Sequence, residues 1–185
     1  NQVLAELLGL PALEAFGALL PQPLAWGSFE GQSYYLETAL PGVAASSLVR
    51  RQAEPPTLEH DAARAIRQLH FGTLQRCVVG PTDFGELAGD DLALLYQLCD
   101  GWPEPALYRS KLQTLEGLLR QQLLGPELPF AWSHGDLWPG NLMVAHSGAL
   151  SGIIDWDRAR PNQLPLLDIL HLLAYTRKMR QRIEL

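Results

Sequence analysis

Cysteine is scarce in this chain. Of 185 residues only Cys77 and Cys99 are thiols, and they form no C-x-x-C pair. That count excludes a disulfide framework and a thiolate zinc site, and both thiols are expected to be buried in a reducing cytoplasm. Positive charge is also in short supply. Fourteen Lys and Arg stand against 20 Asp and Glu, a net charge of −6, without the basic face that nucleic acid demands. Long apolar runs are missing too. Residues 1–25 are rich in leucine, but Glu6 and Glu14 interrupt them, Pro11, Pro21 and Pro23 break them, and no basic segment opens them. They are neither a signal peptide nor a membrane span. A cytoplasmic protein with no nucleic-acid or membrane partner is expected. What the chain does have is apolar side chains, 47% of the total, enough to build one domain or two small lobes around a core.

The chemistry gathers between Trp132 and Asp157, W-S-H-G-D-L-W-P-G-N-L-M-V-A-H-S-G-A-L-S-G-I-I-D-W-D. Two short apolar runs flank a polar turn that opens with His134-Gly135-Asp136. Asn141 follows on the same loop, and Asp155 comes at the end of the second run. Carboxylate and amide oxygens are the donors that Mg²⁺ prefers. A hairpin turning at His146-Ser147-Gly148-Ala149 would bring Asn141 and Asp155 side by side. Asp136 then lies close by, without metal duty, free to hold a hydroxyl.

Around this stretch the periodicity predicts helices over 2–9 and 12–20, divided at Pro11, and strands at Leu24–Gly27 and Ser33–Thr38 with a turn from Ser28 to Gln32. A short helix is expected at Ser46–Arg51. A longer one runs from Leu58 to His70, with Thr57 as its cap and His70 meeting backbone carbonyls at its end. Residues 71–90 read as loop, and Asp90 or Asp91 opens a helix to Cys99. Asp83, Glu86, Asp90 and Asp91 either attract an amine-bearing substrate or form a solvated loop, and the loop is expected. A helix from Glu104 to Leu124 carries Leu107, Leu112, Leu115, Leu118, Leu119 and Leu123 as a buried stripe, and Gly125-Pro126 stops it. The leucines around Asp168 predict a helix buried nearly all round. Arg177, Lys178, Arg180 and Arg182 read as its solvated end.

The pattern H-G-D-x-x-x-x-N followed by I-I-D-W-D resembles the aminoglycoside phosphotransferase and choline kinase-like (APH) superfamily, which shares the protein-kinase fold. Tyr34 to Gly42 is similar to the strand and hinge of that family, Ala65 to His70 to its helix ending in Leu-His, and Leu166 to Leu170 to its helix after the metal strand. The resemblance implies an α+β, protein-kinase-like fold. A mostly helical large lobe with short catalytic-loop hairpins (43–185) would follow a remnant of the small-lobe sheet and the hinge (1–42). It implies an ATP- and Mg²⁺-dependent transfer of phosphate to the hydroxyl of a small molecule: an aminoglycoside, choline, a sugar or a fructosamine-like compound. An acidic surface suits a cationic acceptor.

In that family's terms Asp136 is the catalytic carboxylate, and Asn141 and Asp155 hold the metal. Backbone groups of Thr38, Ala39 and Leu40 hold adenine. His134 packs beneath the loop, Asp168 braces it from below, and Asp157 either supports a second metal or water shell or is structural. Gly135 replaces the arginine of protein kinases, so regulation through a phosphorylated activation loop is not expected. Glu6 and Glu14 are both candidates for the small-lobe ion pair. No glycine-rich phosphate loop or strand lysine precedes residue 1, so a fragment cut at both ends is expected. Two other readings stand beside the kinase: a non-catalytic, kinase-like binding module, and a metal-dependent hydrolase built on His134, Asp136 and Asp155. ATP or GTP, the identity of the acceptor and the oligomeric state are left open.

Overall fold

In a helix residues three and four apart share one face, and in a strand alternate residues do. The computed structural model of the protein describes residues 2–181. In chain order the elements are α1 (Gln2–Leu8), a 3-10 turn at Pro11–Leu13, α2 (Glu14–Gly17), β1 (Pro23–Phe29), β2 (Gln32–Glu37), β3 (Val43–Ala44), α3 (Ala45–Arg50) and α4 (Leu58–Gly72). They continue as β4 (Gln75–Val78), α5 (Pro81–Phe84), α6 (Asp90–Leu98), α7 (Pro105–Leu123), β5 (Glu127–Ser133), β6 (Leu142–Val144), β7 (Leu150–Ile153), β8 (Arg160–Gln163) and α8 (Leu166–Gln181). This is the mixed α and β content expected. The chain forms two compact units: one joins the stretch ending at Leu74 to the stretch starting at Phe130, and the other is Gln75–Pro129.

The first unit holds the main core. Helix α4 presents Leu58, Ala62, Ala65, Ile66 and Leu69 on one buried face. Burial of each large aliphatic chain contributes about 1.5–3 kcal/mol. Leu4, Leu7 and Phe16 reach the same core from the amino-terminal helices, and Leu142, Val144 and Ile153 reach it from β6 and β7. Strands β1 and β2 pair antiparallel, with Trp26 opposite Tyr35 and Phe29 opposite Gln32. The turn is only Glu30-Gly31, both at positive φ (50° and 78°), as a two-residue hairpin of right-handed strands requires. The strands are therefore longer, and the turn shorter, than the expected Ser28–Gln32. Strand β3, which the sequence did not announce, pairs with β6 through Val43–Val144 and Ala44–Met143. Gly42, at φ 110°, makes room for this: a Cβ there would collide with the Val144 carbonyl.

Three expectations in this unit are corrected. Thr57 precedes α4, but its side chain does not cap the helix; the first turn closes through Asp61 N–H on the Thr57 carbonyl (2.8 Å). Helix α8 is not buried nearly all round. Asp168, Leu172 and Thr176 are inside, while Leu166, Leu167, Leu170 and Leu173 are exposed, because helical periodicity brings one side of a rod inward whatever its composition. Its end is not merely solvated either: Arg180 donates to Glu54 (2.8 Å) and Glu59 (3.1 Å). Arg182 lies outside the described residues.

In the second unit, β4 runs beside the start of β5, and Gly125 N–H donates to the Val79 carbonyl (3.0 Å). Much of the stretch read as loop is ordered: β4, α5 and a π-helical turn at Gly85–Gly89 leading into α6. Asp83 accepts from the Gly80 N–H (2.7 Å). Helix α7 starts and stops near the expected places, but its leucine stripe is not buried. Leu107, Leu115 and Leu118 are exposed, and no residue of the helix counts as buried. Its links to neighbours are polar: Glu116 accepts from Tyr96 of α6 (3.1 Å), and Arg109 donates to Asp100 (2.7 Å). Cys99 is buried as expected. Cys77 is exposed, because every residue of the short strand β4 faces solvent. No helix of the described residues is long and apolar enough to cross a membrane.

Candidate active site

Strands β6 and β7 form the hairpin that the spacing of polar residues anticipated. Leu142 pairs with Ile153 and Met143 with Gly152, and the Ile154 N–H donates to the Asn141 carbonyl (2.9 Å). Asn141 and Asp155 thus flank the open end of one hairpin. Asp155 sits at φ 67°, ψ 60°, a left-handed conformation that Asp and Asn tolerate better than most residues.

The loop before β6 is clamped through its backbone. The Asp168 carboxylate, 2% exposed, accepts from Ser133 Oγ (2.8 Å), His134 N–H (2.9 Å) and Gly135 N–H (3.0 Å). His70 Nε2 lies 3.0 Å from the same carboxylate. A carboxylate can only accept, so that nitrogen carries the proton. Burial alone would raise the Asp168 carboxyl, but these donors outweigh it and hold the group below its ordinary range. His70 does lie in the last turn of α4, but it meets the Asp168 carboxylate and not backbone carbonyls. The signal for its place was its spacing, four residues after Ile66 on the buried face of α4. Gly135 has φ 78°, and a Cβ on it would lie 2.5 Å from the Arg158 carbonyl oxygen. A side chain of any size is excluded there.

His134 is fully buried. Its Nε2 sits 3.0 Å from the Ile154 carbonyl, which can only accept, so Nδ1 is the free acceptor and takes the Asp136 N–H (3.3 Å). Burial depresses its pKa and keeps the ring neutral. Its face packs on Trp156, 4.5 Å between ring centres. Both nitrogens are occupied, so His134 offers no metal ligand, which removes one of the three residues on which the hydrolase reading was built. No group of three or more His, Cys, Asp and Glu poised to hold a metal occurs among the described residues.

Asp136 is half-buried. Asn141 Nδ2 donates to its carbonyl (2.9 Å) and lies 3.4 Å from its Oδ2. His171 Nδ1 on α8 lies 3.8 Å from Oδ1. The sequence offered one hint of this neighbour, its position one turn after Asp168. Because Asn141 turns its nitrogen inward, its amide oxygen is the end left for a ligand. Burial raises the Asp155 carboxyl, and the nearby charges of Asp157 and Asp136 raise it further. Desolvation and the Asp155 charge also raise Glu37, which brings the end of β2 within electrostatic reach. One amide oxygen amid crowded carboxylates fits a hard divalent cation that completes its shell with water and phosphate oxygens.

At the stretch similar to a hinge, the Thr38 N–H is already committed to the Gln22 carbonyl (2.9 Å), and its hydroxyl accepts from Gln22 N–H (2.8 Å). The backbone groups of Ala39 and Leu40 carry no hydrogen bond among the described residues. The Leu40 side chain packs so closely over Gly152 that a Cβ there would collide with it. Glu6 and Glu14 are both exposed. A groove of about 550 Å³ opens nearby, lined by Pro41, Val43, Leu48, Val144 and His146; none of Asp136, Asn141 or Asp155 lines it.

Comparison with known proteins places this geometry in context. The model of the phosphotransferase enzyme family matches residues 2–184. An aminoglycoside phosphotransferase from Streptomyces rimosus, solved with ADP and streptomycin, is 20% identical; the match covers 97% of this chain and 68% of that one, with a TM-score of 0.58. An aminoglycoside-3'-phosphotransferase of type VIII is 18% identical, with coverage of 94% and 64% and a TM-score of 0.53. A glucosamine kinase is 20% identical, with coverage of 89% and 47% and a TM-score of 0.57. The chain thus spans about two thirds or less of the length of these structures. No curated protein matches. Likeness at this identity shows the fold, which is α+β and protein-kinase-like.

Proposed function

Because the chain belongs to the phosphotransferase enzyme family, we propose that it transfers the γ-phosphoryl group of ATP, with Mg²⁺, to a hydroxyl of a small molecule. What supports this reading is that Asn141 bonds Asp136 on a loop whose backbone Asp168 and His134 hold, while the bond from Ile154 to Asn141 sets Asp155 next to that loop. Phosphoryl transfer asks a protein for alignment and charge compensation more than covalent help. Asp136 accepts a hydrogen bond from the acceptor hydroxyl and aims its oxygen at phosphorus. The Asn141 amide oxygen and the Asp155 carboxylate hold the metal, with Asp157 close to Asp155. When bound, Mg²⁺ offsets the charge on the phosphate oxygens.

Adenine lies against the free backbone groups of Ala39 and Leu40 and the carbonyl of Thr38, with residues 1–42 serving as small lobe and hinge and 43–185 as large lobe. An amine-bearing sugar, the class of the acceptors in the aminoglycoside and glucosamine enzymes, suits a chain of net charge −6. A cytoplasmic setting supplies the nucleotide.

Calorimetric titration with Mg²⁺-ATP tests the reading. Heat of binding that needs Mg²⁺ and disappears in Asp155→Ala is the expected result. Binding that survives Asp155→Ala unchanged refutes the metal assignment. Absence of nucleotide binding to the full-length protein favours a non-catalytic module. A screen of aminoglycosides, choline, sugars and fructosamine-like compounds then identifies the acceptor.

A further inference from the structure

The backbone of Asp136 is fixed on both sides, by His134 Nδ1 on its N–H and by Asn141 Nδ2 on its carbonyl. Its carboxylate is held more loosely. Asn141 Nδ2 already serves the carbonyl at 2.9 Å and reaches Oδ2 only at 3.4 Å, the weak end of hydrogen bonding. Rotation of the carboxylate is therefore decided on the Oδ1 side, where His171 Nδ1 stands 3.8 Å away. That gap is too long for a hydrogen bond, yet the histidine is not free to wander. Its ring meets the Tyr175 ring edge-on at 4.4 Å between centres. One turn earlier on the same helix, Asp168 fastens α8 to Ser133, His134 and Gly135, the residues just before Asp136. The same clamp thus sets the spacing between His171 and Asp136.

We propose that His171 is a positioning residue for Asp136, an inference that rests on reading Asp136 as the group that receives the acceptor hydroxyl. When that hydroxyl engages Oδ2, the Nδ1–H of His171 closes the remaining gap onto Oδ1 and fixes which lone pair is presented. Hydrogen bonds at reactive groups commonly tighten in this way when the complex forms. His171 takes no proton and touches no phosphate.

The test uses the full-length protein with Mg²⁺ and ATP, reading hydrolysis with water as acceptor and, separately, the ¹⁵N-edited proton signal of the His171 ring. His171→Phe keeps the edge contact with Tyr175 and removes the N–H. It should lower kcat about 10-fold, since small misplacements of a reacting group cost that much or more. The KM for ATP and the Tm should stay unchanged. His171→Asn, whose amide nitrogen occupies the place of Nδ1, should recover most of the loss; His171→Gln should not. The Nδ1–H signal of the wild type should shift or vanish in Asp136→Ala, a readout that needs no turnover. Wild-type kcat in His171→Phe, no rescue by His171→Asn, or a ring signal indifferent to Asp136→Ala each overturns the inference. If Asp136→Ala itself keeps full hydrolysis, the reading of Asp136 fails instead, and the two failures are told apart.

Discussion

Replacing Asp168 should destabilise the protein far more than an average substitution. In Asp168→Ala the Gly135 N–H keeps a partner, because Ser133 Oγ lies 3.1 Å away, and the Ser133 hydroxyl can turn. The His134 N–H and His70 Nε2–H lose theirs, and both residues are buried. Two stranded donors at about 1–3 kcal/mol each put the cost near 2–6 kcal/mol, a large part of the roughly 5–15 kcal/mol that holds an ordinary domain together. Asp168→Asn keeps the shape and one acceptor oxygen but turns an NH₂ toward other donors, so about 1–3 kcal/mol is expected.

The difference between wild type and Asp168→Asn should also depend on pH. The native carboxyl titrates below its ordinary range. Its contribution is therefore complete above the unfolded value of about 3.9 and is lost as the pH falls through the lower native value. Urea unfolding followed by tryptophan fluorescence, at neutral pH and below about pH 4, measures both effects. A cost under about 1 kcal/mol for Asp168→Ala, or a wild-type-to-Asn gap that stays constant into acid, would refute the reasoning.

Gly135→Ala forces a side chain into φ 78° and onto the Arg158 carbonyl. It should cost about 1–3 kcal/mol in a thermal melt and move the Asp136 loop enough to depress turnover more than stability. Gly152→Ala pushes Leu40 off β7; calorimetry should show weaker nucleotide binding, with a Tm change of only a few degrees. A thiol reagent should modify one cysteine of the native protein, the exposed Cys77, and reach Cys99 only after denaturant is added.

The hairpin carrying Asn141 and Asp155 could be read from sequence because both strands and their turn lie within a short stretch, where alternation and turn chemistry act locally. His70 and Asp168 are 98 residues apart, and no local pattern joins them; only the buried-face spacing of His70 hinted that it pointed inward. The leucines of α7 show the opposite limit. Periodicity tells which side of a helix is apolar, but the exposure of Leu107 and Leu118 depends on how much structure covers that side. Cys77 was misjudged for the same reason, since burial belongs to the strand's surroundings and not to the residue type. The left-handed backbone of Asp155 left no mark in the sequence either, because nothing about an aspartate after two isoleucines demands a positive φ.

The β6–β7 hairpin separates what must stay constant from what can vary. Its fixed end is registered by Leu142 opposite Ile153 and by the Ile154–Asn141 bond. Its tip, from Ala145 to Ala149, lies beyond an irregularity in the ladder between Met143 and Val144. Extra residues spliced in at the tip would lengthen the loop at small entropic expense and leave the spacing of the two ligand-bearing positions as it is. That makes the tip a natural place to graft an epitope or a fluorescent reporter.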